Sequence, residues 1–312
     1  MLNKIIYAIE KTFGNAPGGI PLCNAGIIGL SSSGKTNYIT VAMQTMQESV
    51  VMDPNTGIEE DLLEGLGDFS MVFDISEDHV HNVKMIYYDK NPGRVVSTNQ
   101  NKVLSIAMFH NKLEYQFKLC DTSGRDFQSD NFPEQFFGGL DALIVTIDPM
   151  SIPELRKLMR DVGMSESEIE IVSGAKAGQV SVADTLRAIT KKIKNKYMPI
   201  ALVLTKFDII SENPEIRKRF PGANQYFSNG AVIENGTVSL PRLRQTSREV
   251  ESLLRSVRER NLTNLLPNLL KNYLFFATSS IGKREKDGTY TSVMPHRVLD
   301  PFLWILKTRG FL

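Results

Sequence analysis

Disulfides have little to draw on in this chain, which holds two cysteines among 312 residues. Two thiols are no framework for a secreted scaffold, and their scarcity suits a reducing, cytoplasmic setting. Long apolar runs are missing too. None approaches the ~18 residues that a membrane span needs, so an integral membrane protein is not expected. The opening residues, from Met1 to Phe13, are broken by charge and lack the apolar core of a signal peptide. The chain starts Met-Leu rather than Met-Gly and its last cysteine is Cys120, so neither end reads as a lipidation site. An excess of one charge is absent as well: 36 Lys and Arg stand against 35 Asp and Glu, a net +1. That balance gives no electrostatic reason to expect nucleic acid or an anionic membrane as partner. Internal repeats and low-complexity tracts are not found.

What is present is an alternation of short apolar strands with amphipathic segments, in a chain that is 42% hydrophobic and 23% charged. This composition is globular, and the alternation predicts an α/β fold with a largely parallel sheet. Strands are expected at Ala25–Ile28, Lys102–Phe109, Leu113–Cys120, Leu140–Ile147, Ile200–Leu204 and Tyr273–Ala277. The second and third read as a hairpin across His110-Asn111-Lys112. The other four are near-continuous apolar runs, as strands buried on both faces are. Helices are expected at Asn37–Ser49 and Val182–Lys196, and from a capping box at Thr246-Ser247-Arg248-Glu249. Pro267 should kink or divide the continuation of that last helix. A final helix reads from Asp300 as N-cap, with Pro301 at its first position, to Gly310. Three stretches, about 50–97, 151–181 and 209–245, carry Gly, Pro and Asn punctuation and read as insertions in one elaborated domain. Within the first of them, Met85–Tyr88 suggests a strand.

The strand Gly26-Ile27-Ile28 runs into Gly29-Leu30-Ser31-Ser32-Ser33-Gly34-Lys35-Thr36. This is G-x-x-x-x-G-K-[ST], with a strand before it and a helix after it. Gly29 lets the chain leave the strand, and Gly34 lets the backbone approach an anion. The N–H groups from Ser32 to Lys35 can ring a β-phosphate, helped by the positive end of the helix that Asn37 opens. Lys35 suits a place between β- and γ-phosphates, and the Thr36 hydroxyl suits Mg²⁺. On this reading Lys35 contacts only phosphate, so Lys35→Ala should spare the fold.

Two further motifs follow at strand ends. Asp121-Thr122-Ser123-Gly124 is D-x-x-G, in which Asp121 can hold a water on Mg²⁺ and the Gly124 N–H can bond the γ-phosphate. Thr205-Lys206-Phe207-Asp208 is T-K-x-D. Asp208 can accept from N1–H and the 2-amino group of guanine, a donor pair that adenine lacks, which disfavours an ATPase. The Lys206 stem can lie along the base.

In this order and on these strands, the three motifs resemble a P-loop GTPase of the translation-factor and Ras-like (TRAFAC) class, over nearly the whole chain. The resemblance implies a three-layer Ras-like G domain, a mostly parallel sheet with one antiparallel hairpin strand. It implies a cytoplasmic molecular switch, a hydrolase of GTP to GDP that needs Mg²⁺ and signals to a protein effector. It also implies that Ala277-Thr278-Ser279-Ser280-Ile281 holds the guanine O6, through the Ser280 N–H, with Ser279 and Ile281 beside it. A switch threonine is expected too. Thr98 is assigned to Mg²⁺ and the γ-phosphate, with Ser97 as its competitor. The segment Met294–Trp304 resembles, more faintly, the last helix of bacterial double-GTPases of conflict or immunity clusters; its apolar residues can equally just pack the helix on the sheet.

Two departures bear on catalysis. Where Ras-like members place a water-orienting Gln directly after D-x-x-G, this chain has Arg125, whose guanidinium accepts no hydrogen bond. The stretch from Lys35 to Thr98 is also much longer than in a compact member, and Arg94 lies just ahead of Thr98, as the built-in arginine finger of G-protein α subunits does. The transition-state arginine is then Arg94, Arg125 or one supplied by a GTPase-activating partner. The alternative function is a GTP-locked interaction module with little turnover. Oligomerisation is compatible with either. Three other features carry less. His79 and His81 would share one face of an extended segment but lack further metal ligands. Lys191–Lys196 suits a helix C-terminus. Asp121 should raise, not lower, the thiol pKa of Cys120.

Overall fold

The computed structural model describes residues 20–29, 33–48, 50–52, 59–61, 63, 66, 70–73, 76–92, 95–96, 102–110, 112–122, 134–173, 181–219, 232–282 and 290–312. In chain order the strands are β1 (Leu22–Gly29), β2 (Val50–Met52), β3 (Glu59–Asp61), β4 (Ser70–Phe73), β5 (Lys102–His110), β6 (Leu113–Asp121), β7 (Ala142–Ile147), β8 (Ile200–Leu204), β9 (Ile233–Glu234), β10 (Thr237–Val238) and β11 (Tyr273–Ala277). The helices are α1 (Lys35–Glu48), α2 (Glu77–Val83), α3 (Glu134–Gly138), α4 (Pro153–Asp161), α5 (Glu166–Ser173), α6 (Val182–Lys192), α7 (Asp208–Ser211), α8 (Pro214–Arg219), α9 (Leu240–Ser256), α10 (Arg260–Leu269) and α11 (Asp300–Thr308). Among the described residues, no helix is long and apolar enough to cross a membrane.

Seven strands form one sheet in the order β11-β8-β7-β1-β6-β5-β4. β6, β1, β7, β8 and β11 run parallel, and β5 lies antiparallel to both β6 and β4. The α/β class, the mainly parallel sheet and the hairpin therefore stand as expected. β4 is an addition, because the stretch 50–97 contributes it as a seventh strand on the edge.

Period-two alternation sends the side chains of the parallel strands into two separate apolar layers. Ile28, Leu143, Val145, Leu202, Leu204 and Phe275 face one layer, which α4, α6, α9 and α10 close. Ala25, Ile27, Ile144, Ala201, Val203 and Phe276 face the other, which α1 and α11 close. Phe302, Leu303 and Leu306 bury α11 against the sheet, and the Trp304 ring lies 5.7 Å from that of Phe276. Double burial explains why these strands read as unbroken apolar runs.

Several local expectations are corrected. Met85–Tyr88 is no strand: Lys84–Tyr88 is a π-helical turn continuing α2, with Met85 and Ile86 buried and Tyr88 exposed. Helix from a Ser76 cap overrides the β preference of Ile and Tyr here. His79 and His81 therefore sit on a helix, not an extended segment. The capping box at Thr246–Glu249 lies inside α9, which starts at Leu240 with Pro241 in its first turn. Ser247 caps no helix; its Oγ accepts the Phe275 N–H of β11 at 2.8 Å. Helix α6 ends at Lys192, and Lys196 Nζ donates to Thr190 O at 2.6 Å, where a further helical turn would have placed an N–H. The break between α9 and α10 falls before Arg260, while Pro267 is inside α10. Proline deprives Thr263 O of its helical donor, and the Arg255 guanidinium supplies one at 3.2 Å. Asp300 is the first residue of α11 and not its cap. It is buried against Arg297, and burial raises its carboxyl above the usual range despite that guanidinium. Gly310 ends the helix as expected, at φ +79°.

Candidate functional site

The chain leaves β1 toward β6 on one side and β7 on the other, so a crevice opens at the carboxyl ends of these strands. The loop after β1, Asp121 at the end of β6, Asp148 after β7, Thr205–Asp208 after β8 and Thr278–Ser280 after β11 all lie along this edge. Of the residues expected in the site, Ser31, Ser32, Arg94, Ser97, Thr98, Gly124 and Arg125 lie outside the described residues. Gly29, Ser33, Gly34, Lys35, Thr36, Asn37, Asp121, Thr205, Lys206, Asp208, Ser279, Ser280 and Ile281 are described.

Two glycines are dictated by space and conformation. A Cβ on Gly29 would sit 2.0 Å from Thr146 Oγ1 of β7, so Gly29 is set by close packing on its neighbour strand. Gly34 has φ +74° and carries the Lys206 stem, whose Cε would lie 3.2 Å from an added Cβ. The Gly34 carbonyl accepts the Tyr38 N–H at 2.8 Å, which starts α1 at Lys35 rather than at Asn37. The N–H groups of Lys35, Thr36 and Asn37 therefore have no partner within the helix.

Thr146 and Thr205 clamp the loop from the neighbouring strands. The Thr146 hydroxyl donates to Ile28 O at 3.2 Å, which leaves its oxygen to accept from Ser33 Oγ at 2.9 Å. The Thr205 hydroxyl donates to Ser33 O at 2.5 Å. Thr146 sits in an apolar strand, and only its hydroxyl in an otherwise hydrocarbon run could have signalled this role. Asp148 was not anticipated either. Its Oδ2 accepts from Lys206 Nζ at 2.8 Å, and the same ammonium donates to Ser173 O at the end of α5. Lys206 holds φ +52°, a left-handed conformation that only surrounding contacts sustain.

The crevice has two ends. At one end, Gly34, Asn37, Lys206, Asp208, Ser280 and Ile281 line a recess. Asp208 is buried there, and its Oδ1 accepts from Ser279 Oγ at 2.5 Å. Ser279 Oγ in turn accepts the Gly282 N–H at 3.0 Å. Ser279 is thus brought to the carboxylate rather than left beside it, and the backbone bridge from Ser279 to His296 anchors the loop.

At the other end, Lys35 and Asp121 form an ion pair, both buried. Lys35 Nζ also donates to Thr122 O at 2.5 Å. The idea that Lys35 contacts only phosphate is therefore corrected: its ammonium neutralises a buried carboxylate. Thr36 and Asp121 line a second recess, whose far wall is Ser76, Asp78, His79 and Asn82 of the 50–97 stretch. Read from the sequence, this stretch is an excess that can cover the site; its helix is what the sequence reading did not anticipate. A hydroxyl and a carboxylate are hard oxygen donors of the kind Mg²⁺ takes while keeping several waters. Among the described residues, no three His, Cys, Asp or Glu side chains form a metal cluster, and a magnesium ion bound mainly through water needs none. Cys120, next to Asp121, has its thiol pushed up to about 12 by burial first and by that carboxylate second, so it is no nucleophile. No family model matches the chain, and neither does any curated protein.

Proposed function

We propose that this chain is a Mg²⁺-dependent GTP-binding protein with a Ras-like G domain that hydrolyses GTP to GDP and phosphate. The observation that carries the reading is the meeting of three separate sequence motifs on one sheet edge. The ammonium of G-x-x-x-x-G-K-T is paired with the carboxylate of D-x-x-G, and the glycine of the same loop packs under the lysine of T-K-x-D. Chance motifs would have no reason to converge in this way.

Each residue then has a task that follows from its surroundings. Loop N–H groups and the start of α1 receive the β-phosphate. Lys35 exchanges its bond to Asp121 for phosphate oxygens, which frees Asp121 to face the metal side. Thr36 and Asp121 would hold Mg²⁺, which when bound would supply positive charge for the phosphate groups. Asp208, oriented by Ser279, accepts from the two guanine donors. Lys206, fixed by Asp148 and Ser173, keeps its stem over Gly34 as one wall of the base recess. Adenine lacks the two donors that guanine offers to Asp208, and each lost hydrogen bond to a charged group is worth about 1.5–3 kcal/mol. Titration of the protein with fluorescent GTP, GDP and ATP analogues in Mg²⁺ tests this. Tight binding of the guanine pair and weak binding of ATP is expected; equal affinity for ATP and GTP would defeat the assignment.

A further inference from the structure

We propose that His79 of α2 is the residue that holds the attacking water of the GTPase reaction, an inference that rests on the function proposed above. Arg125 stands in the chain position of a water-orienting Gln and accepts no hydrogen bond. A reaction in which water attacks phosphorus needs an acceptor to aim that water. The recess beside Thr36 and Asp121 is where such an acceptor must come from, because it is the end of the crevice that holds Lys35. Its far wall offers His79, a neutral ring acceptor, and Asp78, a carboxylate. A carboxylate facing a γ-phosphate adds like charge to the most anionic point of the site. Asp78 instead suits the first turn of α2, where a negative charge favours the helix.

The platform is rigid enough to aim a side chain. Ser76 Oγ caps the helix by accepting the His79 N–H at 3.2 Å. Asn82 is buried, and its Oδ1 accepts the Val96 N–H at 2.8 Å. Beyond it, Met85 and Ile86 are buried, and the Tyr290 hydroxyl donates to Ile86 O at 2.7 Å. The helix is thus held at its start, its middle and its π-helical end. His79 is half-buried in this setting.

In the step itself, the water oxygen forms a bond to Pγ while the bond from Pγ to the β–γ bridging oxygen breaks. The electron pair of the broken bond leaves with GDP. One water proton points at the His79 ring nitrogen, which fixes the direction of attack, and the other passes to a phosphoryl oxygen of the departing phosphate. His79 keeps its own protonation state throughout.

The test is single-turnover GTP hydrolysis by the full chain with Mg²⁺, beside GTP affinity and thermal melting, for His79→Leu, His79→Gln and Asp78→Asn. Misplacing the attacking water costs about 10²-fold in rate. His79→Leu should therefore hydrolyse ~10²-fold slower at unchanged GTP affinity and melting temperature. His79→Gln, which keeps an acceptor, should recover most of that loss, and Asp78→Asn should stay near the wild-type rate. Wild-type hydrolysis by His79→Leu, equal losses in rate and affinity, or an effect carried by Asp78→Asn alone would each overturn the proposal. GTP binding without any turnover by the wild type would overturn it while leaving guanine recognition standing. No GTP binding at all would remove the underlying function as well.

Discussion

The two ends of the crevice are built differently. At the base end the polar groups are tied into a directed series: Gly282 N–H to Ser279 Oγ to Asp208, with Thr205 holding Ser33 and Asp148 holding Lys206. At the phosphate end, one buried ion pair, Lys35 with Asp121, stands against a helix supplied by an insertion. The first end is preorganised by a Lys206–Asp148 ion pair and hydrogen bonds among loops that follow parallel strands. On the proposed function, the second depends on a charge pair that phosphate would exchange. On that proposal, recognition falls to the rigid end and response to the exchangeable one.

Mutations at the phosphate end should have the larger effect. Lys35→Ala removes the ammonium that pairs with the buried Asp121 carboxylate, and breaking a buried ion pair from one side costs about 3–5 kcal/mol. It should lower both nucleotide affinity and the unfolding midpoint in denaturant, and unchanged stability would mean that the ion pair is dispensable. A Lys35→Ala, Asp121→Asn double variant should regain part of the stability but none of the binding.

Intermediate effects belong to the base end. Ser279→Ala removes the hydroxyl that orients Asp208, and a hydrogen bond to a charged group is worth about 1.5–3 kcal/mol. GTP affinity should fall by roughly 10-fold or more on that scale, with little change in melting temperature. If Ser279 only lined the recess, affinity would hardly move.

The smallest effect is expected in the support of α2. Ser76→Ala deletes an N-cap, at a cost near 1 kcal/mol. Faster amide exchange confined to residues 77–83 would match, while unaltered exchange would show that packing of Met85 and Ile86 alone holds the helix.

The comparison also explains what was legible in the sequence. Strands buried on both faces announce themselves as apolar runs, and the loops after them carry Lys35, Asp121, Thr205 and Asp208 at motif spacing. Those residues need no knowledge of distant contacts to be found. Asp148, Ser173 and Thr146 have no such spacing, since their roles exist only because β7 and the end of α5 pass beside Lys206 and Ser33. The 76–88 helix was misread as partly extended because Ile86, Tyr87 and Tyr88 favour strands locally, whereas burial of Met85 and Ile86 and the Ser76 cap favour helix. Thr246–Glu249 imitates a helix start, but the cap of α9 is Ser239, seven residues before Thr246, which puts Thr246 and Ser247 in the buried face of the helix.

The central claim, guanine recognition by Asp208, is tested most directly by measuring the affinities of wild type and Asp208→Asn for GTP, ATP and XTP in Mg²⁺. An amide at this position can donate to the xanthine 2-oxygen while still accepting from N1–H. The account predicts that wild type prefers GTP over ATP and XTP by at least ~10-fold, on the scale of one lost hydrogen bond to a charged group, and that Asp208→Asn reverses the order of GTP and XTP. A wild type that binds all three alike, or a variant whose preference does not move, would contradict it.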